Sequence, residues 1–140
     1  MQYLVSEVFE MIESAKTVAE RKQILNKVNS PRFREVLKHI FGDYEWFVSD
    51  ESEIPEWYPA TEEKGYTPSN LYYEVRRFYI FYKETEKVTH KRKQELLANL
   101  LESIHPDEAQ VMIGMLLKTL KVKGLTKKLV NEVFPELLNK

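Results

Sequence analysis

Apolar positions recur at three- and four-residue spacing along most of this chain, and that period predicts helices. Leu4, Val5, Val8, Phe9 and Ile12 share one face of a helix over about Tyr3–Ala15, with Glu7, Glu10 and Glu13 opposite. Thr17-Val18-Ala19-Glu20 reads as a capping box opening a second helix to about Val28, with Val18, Ile24, Leu25 and Val28 inward. Ser30 and Pro31 open a third, Ser30 as N-cap and Pro31 at the first helical position. Its buried stripe is Phe33, Val36, Leu37 and Ile40, and Gly42 is placed to cap its end. Leu71, Val75, Phe78 and Tyr82 predict a helix to about Lys83. Thr89 caps another over His90–Ile104, carrying Leu96, Leu97, Leu100 and Leu101. His105-Pro106-Asp107-Glu108 is a further start signal, followed by Val111, Met112, Met115, Leu116 and Leu120. Gly124 breaks that run, and Thr126 caps a last short helix with Leu129, Val130 and Val133. The expected fold is all-α, a compact bundle of about seven helices in one domain spanning 1–140.

Between Asp43 and Ser69 the period fails. Pro55, Pro59, Pro68 and Gly65 punctuate a stretch holding Trp46, Phe47, Trp57 and Tyr58. So many aromatics predict a long ordered loop, packed down by its rings and carrying one helical turn. Loops of this length in a compact domain are often functional.

Composition then narrows the classes. With 43% hydrophobic and 12% aromatic residues the chain has the makings of a core. The absence of cysteine removes disulfides, thiolate metal sites and a cysteine nucleophile, and suits a reducing compartment. The beginning does not read as a signal peptide, and no apolar run reaches the ~20 residues that span a bilayer, so a cytoplasmic protein without membrane contact is expected. Net charge is only −1, but it is unevenly spread. Asp43–Glu63 holds eight acids and no base, whereas Lys87–Lys128 holds nine bases against four acids. Such segregation gives a dipolar surface that steers charged partners.

Catalytic chemistry finds little footing. His39, His90 and His105 are scattered, without the spacing of metal ligands. Ser30, Ser69 and Ser103 fall at helix ends, where capping explains them. Four glycines make no phosphate loop, and Glu102 with Asp107 and Glu108 is interrupted by Pro106. No catalytic residue, metal or cofactor is assigned, and a binding protein is expected rather than an enzyme.

Two stretches carry binding chemistry. Tyr72 and Tyr79, beside Arg76 and Arg77, are placed to stack on bases, although aromatics at helical spacing more often serve a core. The sharper candidate runs from Lys118 to Lys128. There Lys118, Lys121, Lys123, Gly124, Thr126, Lys127 and Lys128 combine a glycine turn, a helix start and flanking ammonium groups into an anion site. The plainer reading is a glycine cap followed by a threonine cap on a lysine-rich surface. Lys91, Arg92, Lys93 and Arg76 are expected to add secondary DNA contacts.

The same residues carry a resemblance. Thr17–Leu25 and Phe33–Leu37 resemble the opening of the helical N-terminal domain of ATP-dependent DNA ligases, the phage enzymes in particular. Leu120–Val130 and Val133-Phe134-Pro135 look like its close, where a basic helix–Gly–helix turn precedes a Trp-Pro or Phe-Pro step. The chain also resembles small proteins of T4-like phages. The resemblance implies a DNA-binding module that grips duplex backbone without reading sequence, with the Lys121–Lys128 turn on phosphates. The nucleotidyl-lysine motif Lys-x-Asp-Gly is absent, so ligation and AMP binding are not implied. The Asp43–Glu63 loop has no counterpart in that pattern. Its acids would repel DNA, and Trp46, Trp57 and Tyr58 make it a candidate surface for a phage or host replication or transcription protein. The alternative to DNA binding is therefore a protein-interaction adaptor or host-takeover inhibitor.

Overall fold

A computed structural model describes residues 3–138. Among them are seven α-helices: α1 (Val5–Ser14), α2 (Val18–Lys27), α3 (Pro31–Phe41), α4 (Leu71–Glu74), α5 (His90–Ser103), α6 (Pro106–Leu117) and α7 (Lys127–Val133). Two 3-10 helices, η1 (Glu51–Glu53) and η2 (Val75–Phe81), complete the order, and the described residues contain no strand beyond two isolated bridges. The all-α expectation holds, and so does the long ordered loop.

The predicted caps are where the sequence puts them. Thr17, Ser30, Thr89 and Thr126 each accept the backbone N–H three residues on, at 3.1 Å. His105 opens α6 by accepting the Asp107 N–H at Nδ1, 3.0 Å away, with Pro106 at the first helical position. These side chains satisfy donors that a helix start leaves orphaned. Glu108 reaches across instead. Fully buried, it accepts the Ser6 N–H at 2.6 Å, so α6 caps the first turn of α1. Burial pushes its carboxyl above the usual range.

Two local expectations are corrected. Val18 is 52% exposed rather than inward, because it occupies the first position of α2, whose only fully buried residue is Leu25. Gly42 caps α3 as expected, with φ −81° and its N–H on the Lys38 carbonyl. Glycine is needed there because a Cβ would meet the Lys38 carbonyl oxygen at 2.5 Å. The helix expected over 71–83 is α-helical only through Glu74 and then winds as 3-10 for seven residues. Tyr72, Val75, Phe78 and Phe81 are all buried at strict three-residue spacing. At 3.0 residues per turn Val75, Phe78 and Phe81 form one straight row, whereas an α-helix would let that row drift round the axis.

That row builds the centre. Phe78 and Phe81 meet Trp46 and Phe47 of the loop, which are tied in by backbone hydrogen bonds from Phe47 to Phe81 and from Lys83 to Glu45, both 2.9 Å. Downstream, Asp50 and Glu53 form the η1 capping box, the single helical turn expected in the loop. Hydrogen bonds from Ser52 to Asp50 and from Ser49 to Glu53 hold both carboxyls below their usual range. Gln94 then reaches the Glu53 carbonyl, the Tyr58 N–H reaches Glu102, and Lys64 pairs with Glu10 and Asp107. The loop is thereby strapped to α5, α1 and α6.

Candidate nucleic-acid interface

The basic segment begins where α6 stops. Lys118 adopts the left-handed conformation at φ 58°, and the N–H groups of Thr119 and Leu120 return to the Gly114 carbonyl. Val122–Leu125 then form a tight turn closed by a 2.9 Å hydrogen bond from the Leu125 N–H to the Val122 carbonyl. Gly124 has φ +88°, a region open to glycine at little cost. A Cβ there would also strike the Arg21 guanidinium, 2.4 Å from Nε. Arg21 is fixed in turn by donating to the Ala15 carbonyl. Leu125 is buried as the anchor, and Thr126 caps α7, which packs on α2 with Lys22 3.6 Å from Glu132.

A rigid turn thus holds its side chains outward. Lys118, Lys121, Lys123, Thr126, Lys127 and Lys128 are all exposed, and Gly124 is half-buried. Among the described residues, none of the five lysines here makes a salt bridge. The amide half of the expected cradle is different. The Lys123 N–H donates to the Glu13 carboxylate at 3.1 Å, and the Leu125 and Leu129 N–H groups are taken by Val122 and Thr126. The seven-residue α7 is also too short to lend much dipole. What the turn offers is ammonium charge on a stiff frame. Beside Lys121 and Lys123 lies a cleft of about 450 Å³, lined by Phe9, Ile40, Phe41, Leu120 and Leu125 and by the Glu13 carboxylate. Lys127 borders a smaller cleft with Lys38 and with Asp43, the first acid of the loop.

The match reported by comparison covers residues 8–122, from α1 to the first half of this turn. The chain belongs to DUF6433, a family of unknown function. The DUF6433 match thus contains Lys118 and Lys121 and ends before Lys123. No curated protein and no solved structure matches the chain.

The remaining candidates separate. Lys91 and Arg92 are exposed, Arg92 pairing with Glu95 at 3.1 Å. Lys93 must be withdrawn as a DNA contact. It is 4% exposed, its Nζ donates to the Tyr82 carbonyl at 2.8 Å, and desolvation lowers its pKa. Arg76 is exposed, with its guanidinium 4.0 Å over the Tyr73 ring. Tyr72 must also be withdrawn as a stacking residue, since it is buried with its hydroxyl donating to the Tyr3 carbonyl. Tyr79 is open, and so is Tyr73, which the helical pattern did not single out.

On the loop, Trp46 is corrected from partner surface to core. It is 6% exposed within a cluster of His39, Tyr44, Phe78 and Tyr82. Trp57 is half-buried against the core, and Tyr58 is 79% exposed. Glu102, Asp107 and Glu108 do separate structural work, on the Tyr58 amide, Lys64 and the Ser6 amide. No helix among the described residues is long and apolar enough to cross a membrane.

Proposed function

We propose that this protein is a non-catalytic DNA-binding module that grips duplex backbone through Lys121, Lys123, Lys127 and Lys128, with Lys118 beside them. The observation that carries the reading is the locked turn itself. It presents exposed lysines that make no salt bridge among the described residues. Holding a turn this stiffly while leaving its cations unpaired favours a multivalent anion of fixed geometry. The likeness of both chain ends to the helical N-terminal domain of ATP-dependent DNA ligases supports the same partner, and an accessory role in phage DNA metabolism. Binding is independent of sequence because lysines reach phosphates rather than base edges.

The test is a salt titration of binding to a labelled duplex. Replacing the four lysines by glutamine weakens binding and flattens the dependence of log K on log salt by roughly 0.9 for each phosphate that is no longer neutralised. A quadruple variant that binds with the parent's affinity and slope sinks the assignment.

A second reading rests on Tyr58 and Tyr66, 79% and 77% exposed beside Glu56, Glu62 and Glu63. Exposed rings among acids suit a basic protein partner, which is the adaptor or host-takeover reading. It predicts a nuclease-resistant complex that Tyr58→Ala abolishes and the lysine variant leaves intact.

A further inference from the structure

The 3-10 winding of η2 has an outer edge as well as an inner one. With three residues per turn, positions three apart lie directly above one another. The inner row is Tyr72, Val75, Phe78 and Phe81. On the outer side Arg76 and Tyr79 of η2 follow Tyr73 of α4, and the two tyrosines are 51% and 55% exposed. Runs of 3-10 helix beyond three or four residues are uncommon, and this one holds the Tyr79 ring in water just after the exposed Tyr73 of α4. Arg76 and Tyr79 are about 6 Å apart along the η2 axis, near the separation of two planes holding a third between them. Arg76 already lies over Tyr73 at 4.0 Å, which closes the first gap. The second, between Arg76 and Tyr79, opens on a cleft of about 340 Å³ that Arg32 and Glu35 also line. That volume is at the small end of ligand clefts.

We propose that the Tyr73–Arg76–Tyr79 edge is a stacking platform for an unpaired nucleic-acid strand, taking a base between Arg76 and Tyr79 and the strand's phosphates on Arg32 and Arg76. The charge in the cleft favours this occupant. Its two guanidiniums face a single carboxylate, Glu35, which lies 4.0 Å from the His39 ring. Arg32 is steadied by donating to the Tyr72 carbonyl at 3.1 Å, so a cation is fixed beside the row. Stacking on tyrosine and arginine faces is the sequence-tolerant way to hold unpaired bases, and it requires open π-faces alternating with cations. This edge does not involve the Lys118–Lys128 turn, and the two sites are separable.

The experiment is fluorescence anisotropy of a labelled oligothymidylate of about a dozen nucleotides, within the usual site size for such strands, against a duplex of equal length. Tyr73→Ala and Tyr79→Ala each weaken strand binding by roughly tenfold and leave duplex binding unchanged, while Tyr79→Phe, which keeps the ring, binds as the parent does. Arg32→Gln with Arg76→Gln weakens strand binding and lowers its salt slope. The quadruple lysine variant retains strand binding, so failure of the turn leaves this proposal standing. The proposal is overturned if the parent does not bind the strand, or if the double alanine variant binds it unchanged. It is equally overturned if poly-glutamate binds with the same dependence on both rings, because the row would then read acidic chains rather than bases.

Discussion

His39 shows how a single side chain acquires a direction in pH. Its Nδ1 lies 2.8 Å from the Glu35 carbonyl oxygen and its Nε2 2.7 Å from the Tyr82 hydroxyl. A carbonyl can only accept, so Nδ1 carries the proton and Nε2 accepts from the tyrosine. The ring is 6% exposed and stacked 4.5 Å from Tyr44. Burial lowers its pKa below 6.5, outweighing the raising effect of Glu35, while Lys38 adds to the lowering. As pH falls through this region the unfolded chain takes up the proton first, so folded stability is lost from about pH 6.5 downward. The expected result is that the stability advantage of the parent over His39→Gln narrows between about pH 7.5 and pH 5.5, measured by urea unfolding. An advantage that stays constant across that range would refute the buried neutral ring.

At the scale of the element, the basic turn depends on one backbone conformation. Gly124→Ala combines a positive φ with a collision against Arg21. It should destabilise the protein by about 1–2 kcal/mol in urea unfolding and loosen the α2–α7 contact. An unchanged midpoint would show that the turn is not held as described. The local features of this kind were legible in the residues. Ser30-Pro31, Thr89, Thr126 and His105-Pro106 announce their helices because a cap acts within one turn. The winding of residues 71–82 was not legible, because the segment satisfies two periods at once. Leu71, Val75, Phe78 and Tyr82 fit an α-helix, while Tyr72, Val75, Phe78 and Phe81 fit a 3-10 helix. Only the packing of Phe81 under Phe47 chooses between them. Lys93 and Trp46 misled for a related reason. Both meet Tyr82 in the fold, which is distant in sequence from Trp46 and outside the helix that carries Lys93. The exposed lysines of the turn were legible, whereas the Glu13 carboxylate on the Lys123 amide came from the far end of the chain.

At the scale of the whole molecule, the acidic loop is divided between core and surface. Trp46 and Val48 are buried, while Tyr58 stands out among carboxylates. The two kinds of ring should respond oppositely. Trp46→Ala is expected to lower stability by about 3–5 kcal/mol, as removal of a large buried aromatic does. Tyr58→Ala should stay within roughly 0.5 kcal/mol of the parent, both read from denaturation midpoints. Equal losses would mean the loop is organised differently. The segment that receives Trp46 imposes a wider constraint. Its sides meet different surroundings: the aromatic core at Val75 and Phe78, solvent at Tyr79, and a cleft against α5 where Glu74 pairs with Arg77 at 2.6 Å. One residue inserted after Val75 would turn the rest of η2 by about 120°, exchanging greasy, aromatic-polar and ionic edges. The stretch therefore behaves like a reading frame, in which length can change by threes and by nothing else without rewriting what the protein's interior meets.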